Sequence, residues 1–213
     1  VCLENDFTLS NPSELDDMIE RTLGEIRLAH RLGGTNVRLF TGFERYENMT
    51  NDRWEHMLSA IRRCDELCLS LDMEIALETH GQLTPCGDGF EHRHTTSTEW
   101  NSVQRLLREL PHRVGFNFDP GNLKAVSQRS LLDYAQLLGT RINYCHLKDW
   151  TNFGHYWVAC GVGDDDLDWK RLIDHMDYNG VYLIEYEPTH DLQDGIVRSL
   201  KHLQSLYPDL VMK

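Results

Sequence analysis

Positive charge is scarce in this chain: 21 Lys and Arg stand against 34 Asp and Glu in 213 residues, a formal net charge of -13. Nucleic acids and anionic membranes are bound by neutralising phosphates with Lys and Arg, so neither is an expected partner. No apolar run approaches the roughly 18 residues needed to span a bilayer. Cysteine is also sparse: six residues, at positions 2, 64, 68, 86, 145 and 160, lack CxxC spacing and are too few for a disulfide scaffold. That usage predicts a reducing, cytoplasmic setting. Cys64 and Cys68, four apart on one predicted helix face, read as core side chains and not as a metal or redox pair. No GxxxxGK[ST] run is present, so nucleotide hydrolysis has no support. No linker or low-complexity stretch divides the chain, and 40% hydrophobic content suits one domain over residues 1–213 with a substantial core.

What is present is alternation. Apolar strand-like runs take turns with amphipathic helices, the pattern of βα units and a mainly parallel sheet. Seven candidate strands are expected: 1–5 (VCLEN), 36–40 (NVRLF), 73–77 (MEIAL), 114–118 (VGFNF), RINYCHL at 141–147, 157–161 (WVACG) and 181–186 (VYLIEY). Asn11 and Pro12 open a helix with Leu15, Ile19, Leu23, Ile26 and Ala29 on one face, and Asn51 or Asp52 can cap a second that buries Met57, Leu58, Ile61, Cys64, Cys68 and Leu71. Thr96 with Glu99 forms a capping-box signature. Asp119-Pro120-Gly121-Asn122 suits a type II turn. The polar segment from Gly81 to His94 reads as a flap, with His92 and His94 as solvated loop residues.

Four of the strand-like runs end in polar groups suited to one divalent metal site. IALETH ends in Glu78 and His80, GFNFDPGN carries Asp119, INYCHLKD carries His146, and VYLIEYEP carries Glu185. A structural zinc site usually draws on ligands a few residues apart, whereas these span about a hundred residues and need a scaffold to gather them. Parallel strands converging at one rim provide it. Taken singly, a Glu or His in such a segment is usually solvated; the set of four at strand ends is the signal. Three carboxylates and one imidazole are mostly hard oxygen donors with excess negative charge for a dication. Manganese is the first expectation, with magnesium, cobalt and zinc as alternatives.

The segments LGGTNVRLF, IALETHGQL, FNFDPGN, YCHLKD, GVGDDDLDW and IEYEPTHDLQDG together resemble the sugar phosphate isomerase/epimerase family of xylose isomerase-like barrels, which includes D-tagatose 3-epimerase and hydroxypyruvate isomerase. The resemblance covers nearly the whole chain. It implies an α/β fold of the TIM (β/α)8 type. Closing such a barrel takes one strand more than the seven counted, which predicts that the first βα unit lies outside this sequence or that the barrel closes in another way.

By the same resemblance, Glu78, Asp119, His146 and Glu185 hold one divalent cation, and Glu78 and Glu185 also act as acid and base on opposite faces of a carbohydrate substrate. Many members carry a histidine three residues after the aspartate, where this chain has Asn122. An amide orients a hydroxyl but carries no proton near neutral pH, so Asn122 is expected to bind substrate only. By strand alternation His80 follows Glu78, Lys148 follows His146 and Glu187 follows Glu185 onto one side, which makes all three candidate substrate contacts. The acidic run Asp164, Asp165, Asp166 and Asp168 reads as a helix cap rather than a second metal site, and Trp150 and Trp157 as core or pocket wall.

The expected activity is isomerisation or epimerisation of a ketose, keto-acid or related sugar by proton transfer through an enediolate. The alternative is a dehydratase or lyase that uses the same metal site on a keto-polyol or keto-glycoside. A non-catalytic sugar-binding subunit is a third reading. An endonuclease of the same architecture is disfavoured by the acidity. Family members are often homo-oligomers, so self-association is one option for this chain.

Overall fold

The computed structural model describes residues 1–188 and 190–209. Thr189, inside the last of the family-like segments, lies outside them. Helix α1 (Pro12–Arg31) starts where expected: Asn11 accepts a hydrogen bond from the Ser13 amide and Pro12 occupies the first turn. Its apolar face reaches strand β1 (Asn36–Leu39) through a turn at Gly33. Helix α2 (Asn51–Ser70) is capped by Thr50, one residue before the expected cap, because the Thr50 hydroxyl takes the Arg53 amide. Cys64 and Cys68 are buried on that helix, in the core. Strand β2 (Glu74–Glu78) follows.

Residues 81–94 are not a loop. Strands β3 (Gln82–Cys86) and β4 (Gly89–Arg93) form an antiparallel hairpin. Helix α3 (Trp100–Glu109) begins later than the capping box implied. Glu99 is itself the cap, accepting from the Ser102 amide at 2.7 Å, while the Thr96 hydroxyl is turned inward to Thr41. Strand β5 (Gly115–Phe118) then runs into helix α4 (Pro120–Val126) with Asp119 as its cap. The expected type II turn is therefore a helix start. Pro suits the first helical position as well as a turn, and a Cβ on Gly121 would collide with the Lys148 carbonyl. Glycine lets the first turn of α4 lie directly on that backbone.

Helix α5 (Leu131–Leu138) leads to strand β6 (Ile142–Leu147), and strands β7 (Asp149–Asn152) and β8 (Trp157–Cys160) follow at once. Asp168 caps helix α6 (Trp169–His175), as the acidic run predicted. Strand β9 (Tyr182–Ile184) and helix α7 (Leu192–Leu206) close the described chain.

Two sheets result. The first is parallel throughout, in the order β1-β2-β5-β6-β9, and residues 1–3 extend it beyond β1 by a single bridge between Cys2 and Arg38. The α/β alternation and the parallel sheet are those expected. The run at 157–161 departs from expectation: β8 joins β3, β4 and β7 in a separate antiparallel sheet, ordered β3-β4-β8-β7. The reason is local. β7 starts two residues after β6 ends, too short a gap for a parallel crossover, so it folds back on β8 instead, and β8 captures the hairpin through Phe90 and Trp157. The core lies between the parallel strands and α1, α2 and α3, with Val37, Leu39, Ile75, Leu77, Phe116 and Phe118 fully or almost fully buried.

Two glycines give opposite expectations. Gly24, inside α1, has open space where a Cβ would stand, so Gly24→Ala raises stability by about 0.5–1 kcal/mol through helix propensity. Gly121→Ala lowers it, because backbone must move. Urea unfolding of both variants checks the pair; a stable Gly121→Ala protein contradicts the close approach.

Candidate functional site

Four side chains from four strand ends meet at one rim. Glu78 is the last residue of β2, Asp119 follows β5, His146 is near the end of β6, and Glu185 follows β9, where its amide bonds the Leu147 carbonyl. One ligand atom from each lies within 4.8 Å of all the others. The sequence separates them widely; parallel register brings them together, with Glu78 opposite Asn117 and Leu147 opposite Ile184.

Two cations are built into the cluster. Lys148, only 1% exposed at its side chain, places Nζ 2.7 Å from Glu185 Oε2, 2.9 Å from Glu187 Oε1 and 3.5 Å from Asp119 Oδ2. Arg38 Nε lies 2.9 Å from Glu78 Oε2. With His146 in the neutral form that ligates a metal, these two cations face four carboxylates and two negative charges remain uncompensated. Asp119 uses Oδ1 to accept the Asn122 amide at 3.0 Å, while its buried Oδ2, with the Lys148 ammonium 3.5 Å away, has no hydrogen-bond partner among the described residues. A carboxylate oxygen with no hydrogen bond, among hard donors whose summed charge is about -2 when His146 is neutral, fits a divalent cation. Glu78, Asp119, His146 and Glu185 are the residues that could hold it.

The protonation states follow from this crowding. Burial pushes Asp119 up to about 7; the Lys148 ammonium opposes that rise and the Glu78 charge adds to it. Glu78 is likewise raised, first by burial, against the pull of Lys148 and Arg38. Burial also works against ionising Glu185, but the hydrogen bond to His146 and the Lys148 ammonium outweigh it and hold this carboxyl well below its usual range. Burial alone would lower His146; its contacts with Cys2 and Glu185 and the neighbouring Glu78 charge lift it to about 10. His146 Nδ1 sits 3.1 Å from Glu185 Oε2 and 3.5 Å from Glu78 Oε2, and Nε2 sits 3.8 Å from Cys2 Sγ.

The other candidate residues surround the four. Asn122 is buried and donates Nδ2 to Glu78 Oε1 at 3.3 Å. His80 packs its ring against Phe40 and Phe43 at 4.9 and 5.7 Å between centroids. Its Nδ1 has no hydrogen-bond partner among the described residues, and burial, with Lys148, lowers it to about 3, so it is neutral. Glu187 pairs with Lys148 at the outer side. Asp165 and Asp166 do not join the cluster; they pair with Lys124 of α4, which also holds the buried Asp149 at 2.9 Å. His92, expected in solvent, is buried on β4 against Trp150, and Trp150 is itself core.

Sequence reasoning missed Arg38, Asn117 and Cys2. Arg38 and Asn117 both bind Glu78, the latter through Nδ2 at 3.2 Å. The signal existed: each is a polar residue inside a short apolar strand, NVRLF and GFNF. Such a residue is either exposed or paired with something buried, and Glu78 was available on β2, the strand between theirs. Two cavities, of about 660 and 1120 Å³, lie elsewhere, one at the opposite ends of the strands around Glu74 and Asn143, the other between β9 and α7.

A sequence model of the family described as xylose isomerase-like TIM barrel matches residues 1–206. No curated protein matches the chain by sequence. Among solved structures, an IOLI protein with a bound zinc atom superposes with a TM-score of 0.76 at 12% identity, over 100% of this chain and 78% of that one. A 3-keto-D-glucoside 4-epimerase from E. coli, in apo form, gives 0.74 at 12% identity over 96% and 77%. A probable 3-DHS dehydratase from Bacillus anthracis gives 0.72 at 17% identity over 96% and 74%. At these identities the likeness is one of fold.

The pH dependence of stability in the metal-free protein follows from the Asp119 shift. A carboxyl raised from 3.8 to about 7 on folding holds its proton more tightly folded than unfolded, so its contribution is complete below 3.8 and is lost as pH rises through 7. Glu185, shifted the other way, acts only below its ordinary 4.5. Asp119→Asn should therefore flatten the fall in urea stability between about pH 4 and 7; an unchanged slope contradicts the assignment.

Proposed function

The chain belongs to the xylose isomerase-like TIM barrel family, and from that premise we propose that it is a divalent-metal-dependent isomerase or epimerase of a ketose, keto-acid or related sugar. The observation that carries this reading is the meeting of Glu78, Asp119, His146 and Glu185 within 4.8 Å at the rim. The names of solved neighbours point the same way, since one is an epimerase of a keto-glycoside and another holds zinc. Manganese is the preferred ion on donor hardness, with magnesium, cobalt and zinc as alternatives.

When bound, the cation supplies Lewis acidity toward a carbonyl and its neighbouring hydroxyl and stabilises the negative charge that develops there. The side chains do the proton transfer. Glu185, held ionised by Lys148 and His146, accepts the proton from the carbon beside the carbonyl, and the C–H electron pair becomes the double bond of an enediolate. Glu78, whose proton affinity is raised by burial, returns a proton to that carbon from the other face, which gives the epimer. Positioned transfer of this kind contributes on the order of 10²- to 10⁴-fold in rate. Arg38, Asn117 and Asn122 fix both Glu78 oxygens. Lys148 orients Glu185 and Glu187. His80, Asn122, Lys148 and Glu187 are the proposed substrate contacts, with His80 acting as a neutral donor or acceptor.

A second reading shares every step up to the enediolate. Where the substrate carries a leaving group β to the abstracted proton, the same electrons expel it, giving a dehydratase or lyase. The neighbour named as a probable 3-DHS dehydratase favours keeping this outcome in view.

Metal-depleted protein should gain thermal stability on adding Mn2+, by about 2.7 kcal/mol at a hundredfold excess over Kd, and Asp119→Asn should lose most of the gain. Catalysis is checked by incubating the loaded protein with keto-sugars in D₂O and scoring deuterium at the carbon beside the carbonyl. Glu185→Gln abolishes incorporation while the fold persists. Product formed with the original hydrogen retained means hydride transfer and removes the proposed proton chemistry.

A further inference from the structure

The two ring nitrogens of His146 meet different surroundings. Nδ1 faces the carboxylates, 3.1 Å from Glu185 Oε2 and 3.5 Å from Glu78 Oε2, whereas Nε2 lies 3.8 Å from Cys2 Sγ. Cys2 is not one of the four residues whose ligand atoms gather within 4.8 Å, so its sulfur stands behind the imidazole and not among the candidate ligands. The His146 side chain is only 1% exposed. Among the described residues, Cys2 supplies the one hydrogen-bond partner of Nε2. Without it a buried ring nitrogen would go unpaired, a costly state that folded proteins rarely accept.

The backbone puts the sulfur there. The Arg38 amide donates to the Val1 carbonyl at 2.9 Å and the Leu3 amide to the Arg38 carbonyl at 3.0 Å, which brackets Cys2 in parallel register beside Arg38. Neighbouring residues of a strand point to opposite faces. Leu3 is buried in the core, so Cys2 and its cross-strand partner Arg38 share the rim side, Arg38 at Glu78 and Cys2 at His146. In the sheet, β1, β2 and β5 separate residues 1–3 from β6; the two side chains meet because the sheet curls. Tyr144, two residues before His146 on β6, sets its ring 5.2 Å from the imidazole at an interplanar angle of 70°.

An imidazole ligates a metal through an unprotonated nitrogen, and the partner of the other nitrogen decides which one that is. An acceptor at Nε2 keeps the hydrogen there and leaves the Nδ1 lone pair toward the cluster. The usual acceptor is a carboxylate, a carbonyl or water. A carboxylate at position 2 would add a fifth acidic group to a rim that already holds Glu78, Asp119, Glu185 and Glu187. Sulfur, a weak acceptor, orients the ring without that addition.

We propose that Cys2 is a positioning residue: its sulfur accepts a hydrogen bond from His146 Nε2–H and so fixes the tautomer and ring orientation in which Nδ1 is free to ligate the cation. The inference rests on the metal-site reading of the rim and not on the reaction assigned to it. It makes the edge segment at residues 1–3 part of the metal site, across the interior of the curled sheet.

Zinc, which is diamagnetic, is the probe, applied to the full chain and to Cys2→Ala and Cys2→Ser. Affinity is measured by competition with a chelator. The protonated nitrogen of His146 is located by NMR of the zinc-loaded protein carrying isotope-labelled histidine, its signal assigned by loss in His146→Gln. Cys2→Ala should weaken zinc binding by about tenfold and speed exchange of the Nε2 proton with water, and Cys2→Ser, which keeps an acceptor, should recover most of both. If Cys2→Ala does not fold, Cys2→Val, which fills the space but accepts nothing, takes its place. Unaltered zinc affinity in the variant without an acceptor, equal losses in that variant and Cys2→Ser, or a zinc-loaded His146 with its hydrogen on Nδ1 each overturn the proposal. No zinc binding by the unmodified chain overturns the metal-site reading together with it, whereas zinc binding indifferent to Cys2 overturns this inference alone. Cys2-dependent zinc binding without deuterium exchange into any keto-sugar removes the catalytic reading and leaves the positioning role standing.

Discussion

Mutual repulsion among carboxylates is the constraint around which this molecule is arranged. Glu78, Asp119, Glu185 and Glu187 crowd one rim of a parallel sheet, three of them largely out of water. Bringing like charges so close in a poorly solvated place costs several kcal/mol for each ion left uncompensated. Lys148 and Arg38 offset part of that, and both are themselves buried, which only their partners make tolerable. The negative charge that remains when His146 is neutral makes the rim a candidate site for a dication.

The strand scaffold explains why these groups cannot simply move apart. Each is attached at the end of a hydrogen-bonded strand whose neighbours are fixed by register, and Asp119 is further held as the cap of α4. Relief must come from bound charge, from protons, or from side-chain pairing. The raised proton affinity of Asp119 and the depressed affinity of Glu185 are two outcomes of one crowd: burial dominates at Asp119, whereas the His146 hydrogen bond and the closer Lys148 ammonium outweigh it at Glu185.

Much of this was legible in the sequence, for a physical reason: an apolar run that stops at a charged residue marks the point where a buried strand meets a polar rim. Glu78, Asp119, His146 and Glu185 each sit at such a point, and α1 and α2 declare themselves by helical spacing of their buried faces. Arg38 and Asn117 were not legible because polarity inside a strand does not say whether it meets water or a buried partner. The partner of β8 was not legible either, since an apolar run carries no mark of parallel or antiparallel pairing. His92 was hidden for a related reason. Its local sequence is that of a solvated loop, and its burial depends on strands about sixty residues further on. Pro120-Gly121 misled in a narrower way, because turns and helix starts share the same proline preference.

Gly121 lets the start of α4 rest on the carbonyl of Lys148. One helix entrance thereby locates both Asp119 and the backbone that carries its nearest ammonium, through main chain seated on main chain. Rotamer choice has no part in that seating. A carboxylate and its counter-charge then share a common footing, so drift in either is handed to the other, and the gap between them is inherited from the architecture in place of being negotiated by flexible side chains.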